Sequence, residues 1–265
     1  MSRASKWFSK NLIKIYAFLG FTYLFIPVIY TFVFSFNDSV KSNLVWRGFT
    51  LNNWKNPCAA PDVCSALGNS LKIGLISTIV ATILGTLIAY ALGRYSFRTR
   101  SATNLLIFLP MATPEIVMGA SLLTMFLSIG VSPGFWTIVI AHVMFCISFV
   151  VVTVKARIAS LDPRLEQAAM DLYADERETF RRVTLPLLAP GIAGAALLAF
   201  SLSFDDFIIT NFNSGSVNTF PKFVYISAQR GLPASANVIG SAMFFIALIV
   251  VILGQIVGKR RRVSA

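Results

Sequence analysis

Apolar residues occur along the chain in six long runs, which are separated by polar segments that contain most of the charges. A membrane-spanning helix needs about 20 mainly apolar residues, because the hydrocarbon core is about 30 Å thick and each helical residue rises about 1.5 Å. All six runs reach that length, so the pattern predicts an all-α, polytopic membrane protein with six transmembrane helices. The predicted spans are residues 15–36, 69–93, 103–129, 135–155, 187–210 and 237–258.

The basic residues predict how these spans are oriented. The chain has 23 Lys and Arg against 11 Asp and Glu, and a formal net charge of +12. Most of the basic residues lie in the N-terminus, after the second and fourth spans and after the last span, which places them on one side of the membrane. By the positive-inside rule, both termini are cytoplasmic. We therefore predict a cytoplasmic N-terminus over residues 1–14 and a transmembrane domain over residues 15–265, with basic residues that contact anionic lipid and no nucleic-acid partner.

Two of the three cysteines, Cys58 and Cys64, lie in the first predicted external loop. A disulfide is permitted outside the cytoplasm and this spacing can close a small loop, although two unpaired thiols fit the sequence as well. The third cysteine, Cys146, falls inside the fourth span, where packing is the simplest role for a thiol. With one histidine in the chain, no metal site is predicted.

A long charged segment at residues 160–186 interrupts the apolar pattern between the fourth and fifth spans. Asp162 followed by Pro163 is typical of a helix start, and the D-x-x-E spacing of residues 175–178 is close to a capping box that starts a second helix. We predict two short helices that join at residues 173–174. Small and apolar side chains on the first helix form a narrow ridge of Leu165, Ala168, Ala169 and Leu172. Such a ridge suits the groove of a partner protein, and the alternative is a solvated loop that only keeps charges out of the membrane.

Three acidic residues lie within the predicted spans: Glu115 near the middle of the third, and Asp205 and Asp206 in the outer part of the fifth. A charged side chain at the bilayer centre costs about 2.5–3.5 kcal/mol even on insertion scales, so such residues normally face a polar interior. No Lys or Arg occupies the central parts of the spans. The three acids therefore predict a pathway for a cation. The alternative is that they are protonated or hydrogen-bonded to polar groups, of which His142 is one.

The two neighbouring aspartates cannot share one helix face, because successive helical residues point about 100° apart. Ser203, Asp206 and Thr210 recur at i, i+3 and i+7 and form a polar stripe, whereas Asp205 shares its side with apolar residues. The pattern predicts that Asp206, together with Ser203, faces the pathway. A different class of function, an intramembrane enzyme that uses the three carboxylates for acid–base chemistry, requires them to lie very close to one another.

The sequence EQAAMDLYADERETFRRVTLPLLAPG, residues 166–191, resembles the EAA loop in permease subunits of binding-protein-dependent ABC importers. That loop reads roughly E-A-A-x-x-x-G, followed by L-P-L-x-x-P. Gln167 stands where the family has glutamate. Tyr173 stands where the family has glycine, which costs roughly 1–2 kcal/mol if the joint needs a positive φ. The resemblance implies a type I ABC importer permease fold, in which a coupling loop at residues 160–186 docks on a cytoplasmic ATPase. The residues carried over to this loop are Leu165, Glu166, Gln167, Ala168, Ala169, Asp171, Leu172, Tyr173 and Ala174.

Three further stretches extend the resemblance over nearly the whole chain: residues 69–97, FLPMATPEIVMGASLL at 108–123 and FSLSFDDFIIT at 200–210. The last two are similar to one branch of the family, the spermidine/putrescine permeases, which implies a polyamine cargo. Another cation, a phosphonate, iron or a sugar is the alternative cargo. The resemblance also implies that Trp54 helps to cover the mouth of the pathway, although a structural tryptophan at the interface accounts for it equally well.

Members of this family work as assemblies in the bacterial cytoplasmic membrane, and the resemblance implies the other parts. These are a second permease subunit, two copies of a cytoplasmic ABC ATPase that bind ATP and Mg²⁺, and an extracytoplasmic polyamine-binding protein. The chain itself is then no enzyme and holds no cofactor. Gly254, Gly258 and Lys259 only mimic part of a phosphate-binding loop, because their spacing is one residue short and no Ser or Thr follows the lysine.

Overall fold

The structure, a computed structural model, describes residues 3–39 and 42–263, with side chains over 11–39 and 42–254. Apart from one isolated backbone bridge between Asn37 and Phe49, its regular structure in these residues is helical. The helices are, in chain order, α1 Arg3–Phe34, α2 Asn52–Lys55, α3 Val63–Arg94, α4 Arg100–Ala112, α5 Glu115–Ser128, α6 Phe135–Ala159, α7 Arg164–Asp171, α8 Glu176–Thr179, a π-helical turn Phe180–Thr184, α9 Leu185–Asp205, α10 Ile208–Asn213, α11 Phe220–Arg230 and α12 Ala234–Val263.

The helices group into two compact units. The first consists of Met1–Cys64 and Val224–Ala265, and the second of Ser65–Phe223. In the first unit α1 packs against α12, where the rings of Phe32 and Phe245 meet edge to face with centroids 5.2 Å apart.

The predicted number of spans is confirmed, but one of the six is strongly bent. Among the described residues, five helices are long and apolar enough to cross a membrane, and α4 with α5 forms a sixth candidate that is bent by 107°. The helix of the first span already begins at Arg3. The helix therefore includes residues 3–14 of the segment that the sequence predicts as the cytoplasmic N-terminus.

The third span, predicted as a continuous helix over residues 103–129, is broken. α4 ends at Ala112, Thr113 is extended with φ −83° and ψ 133°, and α5 begins at Glu115. The local cause is Pro114, because a proline ring disfavours helical geometry at the residue before it. Glu115 therefore lies at the start of a helix, directly after the break in the middle of this bent span.

The fifth span, predicted over residues 187–210, is interrupted as well. α9 ends at Asp205, and Asp206 adopts an extended conformation with φ −63° and ψ 124°. A short helix, α10, then continues the chain from Ile208. The two aspartates thus lie at a helix end and the break that follows it.

The second unit has a core of small and branched apolar side chains where α3, α6 and α9 meet. Gly85 of α3 lets α6 approach so closely that an added Cβ atom would lie 2.6 Å from the Val150 side chain. Ala195 and Ala199 of α9 are fully buried in the same cluster. Such close backbone packing is typical of helices in membranes, where the lipid offers no hydrophobic reason to associate.

The external loop of the first unit is held by a covalent bond and by buried amides. A disulfide joins Cys58 to Cys64, with their Cα atoms 5.4 Å apart. Asn37 is fully buried, and its Nδ2 donates to Oδ1 of Asn43 at 2.6 Å and to the carbonyl of Val45 at 2.8 Å. These contacts give the loop a defined shape although it contains little regular structure.

Candidate functional site

The charged loop forms the two short helices that its sequence predicts. α7 follows Asp162, whose Oδ1 accepts the N–H of Arg164 at 2.9 Å. α8 follows Asp175, whose Oδ1 accepts the N–H of Glu178 at 2.6 Å. Between the two helices, Tyr173 adopts a left-handed conformation with φ 66°, and its side chain is fully exposed. A non-glycine residue in this region costs about 1–2 kcal/mol, so this joint is strained.

The apolar ridge of α7 is open to a partner over most of its length. Leu165 and Leu172 are 46% and 82% exposed, and Ala168 is exposed between them. Ala169 is half-buried, so it contributes less to this surface. An exposed apolar ridge ringed by charges is typical of a helix that enters a groove on another protein.

Glu166 lies next to this ridge, but its side chain contacts residues of other elements in the same chain. Its Oε1 is 3.0 Å from Nη2 of Arg94, the last residue of α3, and accepts the Nε–H of the same guanidinium at 3.2 Å. The same oxygen accepts the hydroxyl of Thr184, in the π-helical turn, at 2.9 Å. The carboxylate therefore ties α7 to α3 and to the start of α9, whereas Gln167 beside it is exposed.

Asp206, which the sequence pattern predicts to face the pathway, is the centre of a buried polar network in this structure. It is 8% exposed, whereas Asp205 is exposed. Its two carboxylate oxygens accept the N–H groups of Ile209 at 3.3 Å and Thr210 at 2.8 Å. Its Oδ2 also lies 3.2 Å from Nε2 of His142. The alternative of a hydrogen bond to His142 thus describes Asp206 in this structure.

The polar stripe converges on that histidine. Ser203 Oγ lies 2.7 Å from Nδ1 of His142, and Thr210 Oγ1 lies 3.0 Å from Nε2. The three residues of the i, i+3, i+7 pattern therefore contact one side chain of α6, although the helix in which their spacing is counted is interrupted at Asp206. The spacing alone does not identify that side chain.

The exposed acids come from the two breaks. Glu115 is the first residue of α5 and Asp205 the last residue of α9, and both are exposed. The half-helices that follow the breaks, α5 and α10, pack against each other, and Asn213 Nδ2 donates to the carbonyl of Gly119 at 3.2 Å.

A cavity of ≈ 280 Å³ opens beside the first break. Its lining includes three methionines, Met118, Met125 and Met144, and the hydroxyl-bearing Thr113. Among the residues whose side chains the structure describes, no group of three or more His, Cys, Asp and Glu is placed to hold a metal ion.

Trp54 belongs to the external loop of the first unit. Its Nε1 donates to Ser35 Oγ at 3.0 Å, and its ring stacks on Phe36 with centroids 5.6 Å apart. These contacts agree with the structural account of this tryptophan, in which it holds the loop together.

Comparison with known proteins places these features in a family. Residues 70–263 match the family model described as the binding-protein-dependent transport system inner membrane component. The chain belongs to this family. It is 34% identical to the spermidine/putrescine transport system permease protein PotC of Haemophilus influenzae over 257 residues, covering 97% of this chain and 98% of that protein. It is 35% identical to PotC of Escherichia coli K12 over 240 residues, covering 90% of each.

The fold agrees with this assignment. A solved bacterial ABC transporter involved in import of the acidic polysaccharide alginate matches 98% of this chain and 98% of its own with a TM-score of 0.67. At 16% identity that likeness concerns the fold alone. The chain therefore has the type I ABC importer permease fold, and its family is one of transport permeases.

Proposed function

We propose that this chain is a transmembrane permease subunit of an ABC importer that carries polyamines such as spermidine and putrescine across the bacterial cytoplasmic membrane. Family membership and the two relatives named as spermidine/putrescine permeases support the assignment. The structural observation that carries it is the placement of two exposed carboxylates, Glu115 and Asp205, at the two helix breaks, where the half-helices α5 and α10 pack together.

The chemistry of a polyamine suits these groups. Its ammonium groups are attracted by carboxylates, and more strongly in surroundings less polar than water. Its methylene segments need an apolar contact that adapts in shape, and methionine side chains are flexible and polarizable. Met118 and Met125 lie on α5, the helix that begins with Glu115, and line the cavity beside the break. The main alternative cargo is another cation, and this class includes iron. A sugar or a phosphonate fits a site with two carboxylates less well.

The exposed ridge of α7 supports docking on a cytoplasmic ATPase. In this proposal two ATPase copies bind ATP and Mg²⁺, a second permease subunit completes the membrane part, and an extracytoplasmic protein delivers the polyamine. Both termini then lie in the cytoplasm, on the side of the loop at residues 160–186. Trp54 lies in the external loop that would meet the delivering protein.

The cargo is tested by uptake of labelled spermidine and putrescine into vesicles that contain the assembled complex. We expect Glu115→Gln and Asp205→Asn each to reduce uptake about tenfold or more, because charge-assisted hydrogen bonds contribute about 1.5–3 kcal/mol. The double variant should lose more than either single one. Asp38→Asn, which removes an exposed carboxylate from the external loop, is the matched control and should leave uptake unchanged. Full uptake by the double variant would overturn the cation pathway but not the family assignment.

Docking is tested with two single variants that each introduce a glutamate, at neighbouring positions of α7. Ala168→Glu puts a charge on the ridge, whereas Gln167→Glu puts the same side chain at the neighbouring exposed position off the ridge. We expect the first variant to lose ATPase association and ATP-driven uptake by more than tenfold, and the second to keep both. Equal association of the two variants at equal amounts in the membrane would contradict docking through this face.

A further inference from the structure

His142 connects the two sides of the break in the fifth span. It lies in α6, it is 1% exposed, and its ring nitrogens contact polar atoms of three residues. Ser203, before the break, is 2.7 Å from Nδ1. Asp206 at the break and Thr210 beyond it are 3.2 Å and 3.0 Å from Nε2. One side chain of α6 thus contacts the end of α9, the break and α10.

The break between α9 and α10 does not arise from a proline or a glycine. Residues 203–210 read SFDDFIIT and contain neither proline nor glycine, the residues that most often interrupt a helix. The extended conformation of Asp206 is favoured instead by its carboxylate, which accepts the N–H groups of Ile209 and Thr210 and so caps α10. A carboxylate buried in this way is stable only when further donors satisfy it.

His142 supplies that donor. A carboxylate can only accept, so the shared hydrogen lies on Nε2 of the imidazole and points to Asp206. The other nitrogen, Nδ1, shares a hydrogen bond with the hydroxyl of Ser203. Ser203 is 4% exposed. This order of serine, histidine and aspartate resembles a hydrolytic triad. The serine hydroxyl is buried, however, so no substrate reaches it, and the arrangement stabilises the fold rather than catalysing a reaction.

We infer that His142 is a positioning residue of the transport pathway: by holding Asp206 in the break, it keeps the side chain of the preceding residue, Asp205, exposed. Asp205 is the last helical residue, and in a helix that continued through Asp206 the side chains of Ile208 and Ile209, at i+3 and i+4, would lie over the same face. Loss of the break therefore covers the carboxylate of Asp205. This inference rests on the proposed role of Asp205 in transport, but its geometric part is tested without any cargo.

The geometric test uses the Asp205→Cys variant of the assembled complex and a small membrane-permeant thiol reagent. The native cysteines do not interfere, because Cys58 and Cys64 are bonded to each other and Cys146 is buried. We expect the introduced thiol to react at least fivefold more slowly when His142→Leu is added, since leucine fills the space but makes none of the hydrogen bonds. Equal rates in the two backgrounds, whether fast or slow, would overturn the inference.

The transport test separates positioning from packing. His142→Gln keeps an N–H donor for Asp206, so it should retain uptake within about threefold of the unsubstituted complex, whereas His142→Leu should lose more than tenfold. Cys146→Ala is the matched control, because Cys146 is also buried on α6 and contacts α9, at the carbonyl of Ala199. It should transport normally. Equal losses in the glutamine and leucine variants, or in the control, would assign His142 to packing alone.

The two tests also distinguish this inference from the proposed cargo. If polyamine uptake is absent even in the unsubstituted complex while His142→Leu still slows the reaction of the thiol at position 205, the cargo is wrong and the positioning role stands. If uptake depends on Glu115 and Asp205 while the reaction rate of the thiol at position 205 is the same with and without His142→Leu, the cargo stands and the positioning role is wrong. Should the leucine variant fail to assemble, the glutamine variant carries the thiol test, and an unchanged rate together with a tenfold loss of uptake would overturn the inference.

Discussion

Two breaks in the second unit each lie beside an exposed carboxylate, but they arise by different physical means. Between α4 and α5 the cause is local, because Pro114 disfavours helical geometry at Thr113. Between α9 and α10 the cause lies on another helix, because His142 satisfies the carboxylate of Asp206 that caps α10. A locally caused break depends on its own residue type, whereas a break held by a distant side chain depends on every member of the network.

The largest expected effect comes from removing the centre of that network with Asp206→Leu. The N–H groups of Ile209 and Thr210 lose their acceptor and His142 loses its partner, all in a buried place. Each unsatisfied buried group costs about 1–3 kcal/mol, so the free energy of unfolding should fall by more than about 3 kcal/mol. Thermal unfolding of the purified complex in detergent measures this change.

The control is the adjacent position. Asp205→Leu replaces an exposed carboxylate, and substitutions at exposed sites usually change stability by less than about 0.5 kcal/mol. This variant should lose uptake and keep its unfolding temperature. Similar destabilisation by the two variants would mean that the neighbouring aspartates do not differ in the way the geometry requires.

Much of the fold could be predicted from the apolar runs, because the length and the composition of a segment decide whether it can span a membrane. The first break also had a visible signal in Pro114, which a count of apolar residues passes over. The second break had a weaker signal, because residues 203–210 contain neither proline nor glycine, and only the aspartates, a residue type that favours helix N-termini, indicate it. Helical spacing correctly grouped Ser203 with Asp206, but which helix meets that face depends on the packing of α6 against α9, and a single stretch of sequence contains no information on that.

Pro114→Ala should have the next largest effect. Proline inside a helix costs about 3 kcal/mol or more, so its removal lets a continuous helix through Thr113 compete with the broken one. We expect uptake to fall several-fold. Pro114→Gly is the matched variant, because glycine also disfavours a helix, by about 1 kcal/mol relative to alanine, and it should retain more uptake. If alanine and glycine behave alike, the local origin of this break is contradicted.

Gly119→Ala tests whether the two half-helices must stay in close contact. An added Cβ atom would lie 2.9 Å from the ring of Phe212 and 3.4 Å from Cα of Ile209, so α5 must move away from α10. Overpacking of this kind costs about 1–3 kcal/mol, and thermal unfolding should show it together with reduced uptake. Gly194→Ala, on α9, meets nothing within 4 Å, and it should be neutral or slightly stabilising. Destabilisation by both would indicate a general intolerance of alanine rather than this contact.

The smallest expected effect concerns the joint between α7 and α8, where the chain also changes direction. This joint contains no proline or glycine. Tyr173 has φ 66° there and an exposed ring, so Tyr173→Gly relieves about 1–2 kcal/mol of backbone strain. The greater freedom of glycine in the unfolded chain offsets about 0.4–1 kcal/mol of that gain. The unfolding temperature should therefore rise slightly, with ATPase association and coupled uptake unchanged. If the variant is equally stable but binds the ATPase less tightly, the tyrosine ring itself makes the contact. The strain at this joint would then serve docking, just as the break at Asp206 serves the position of Asp205.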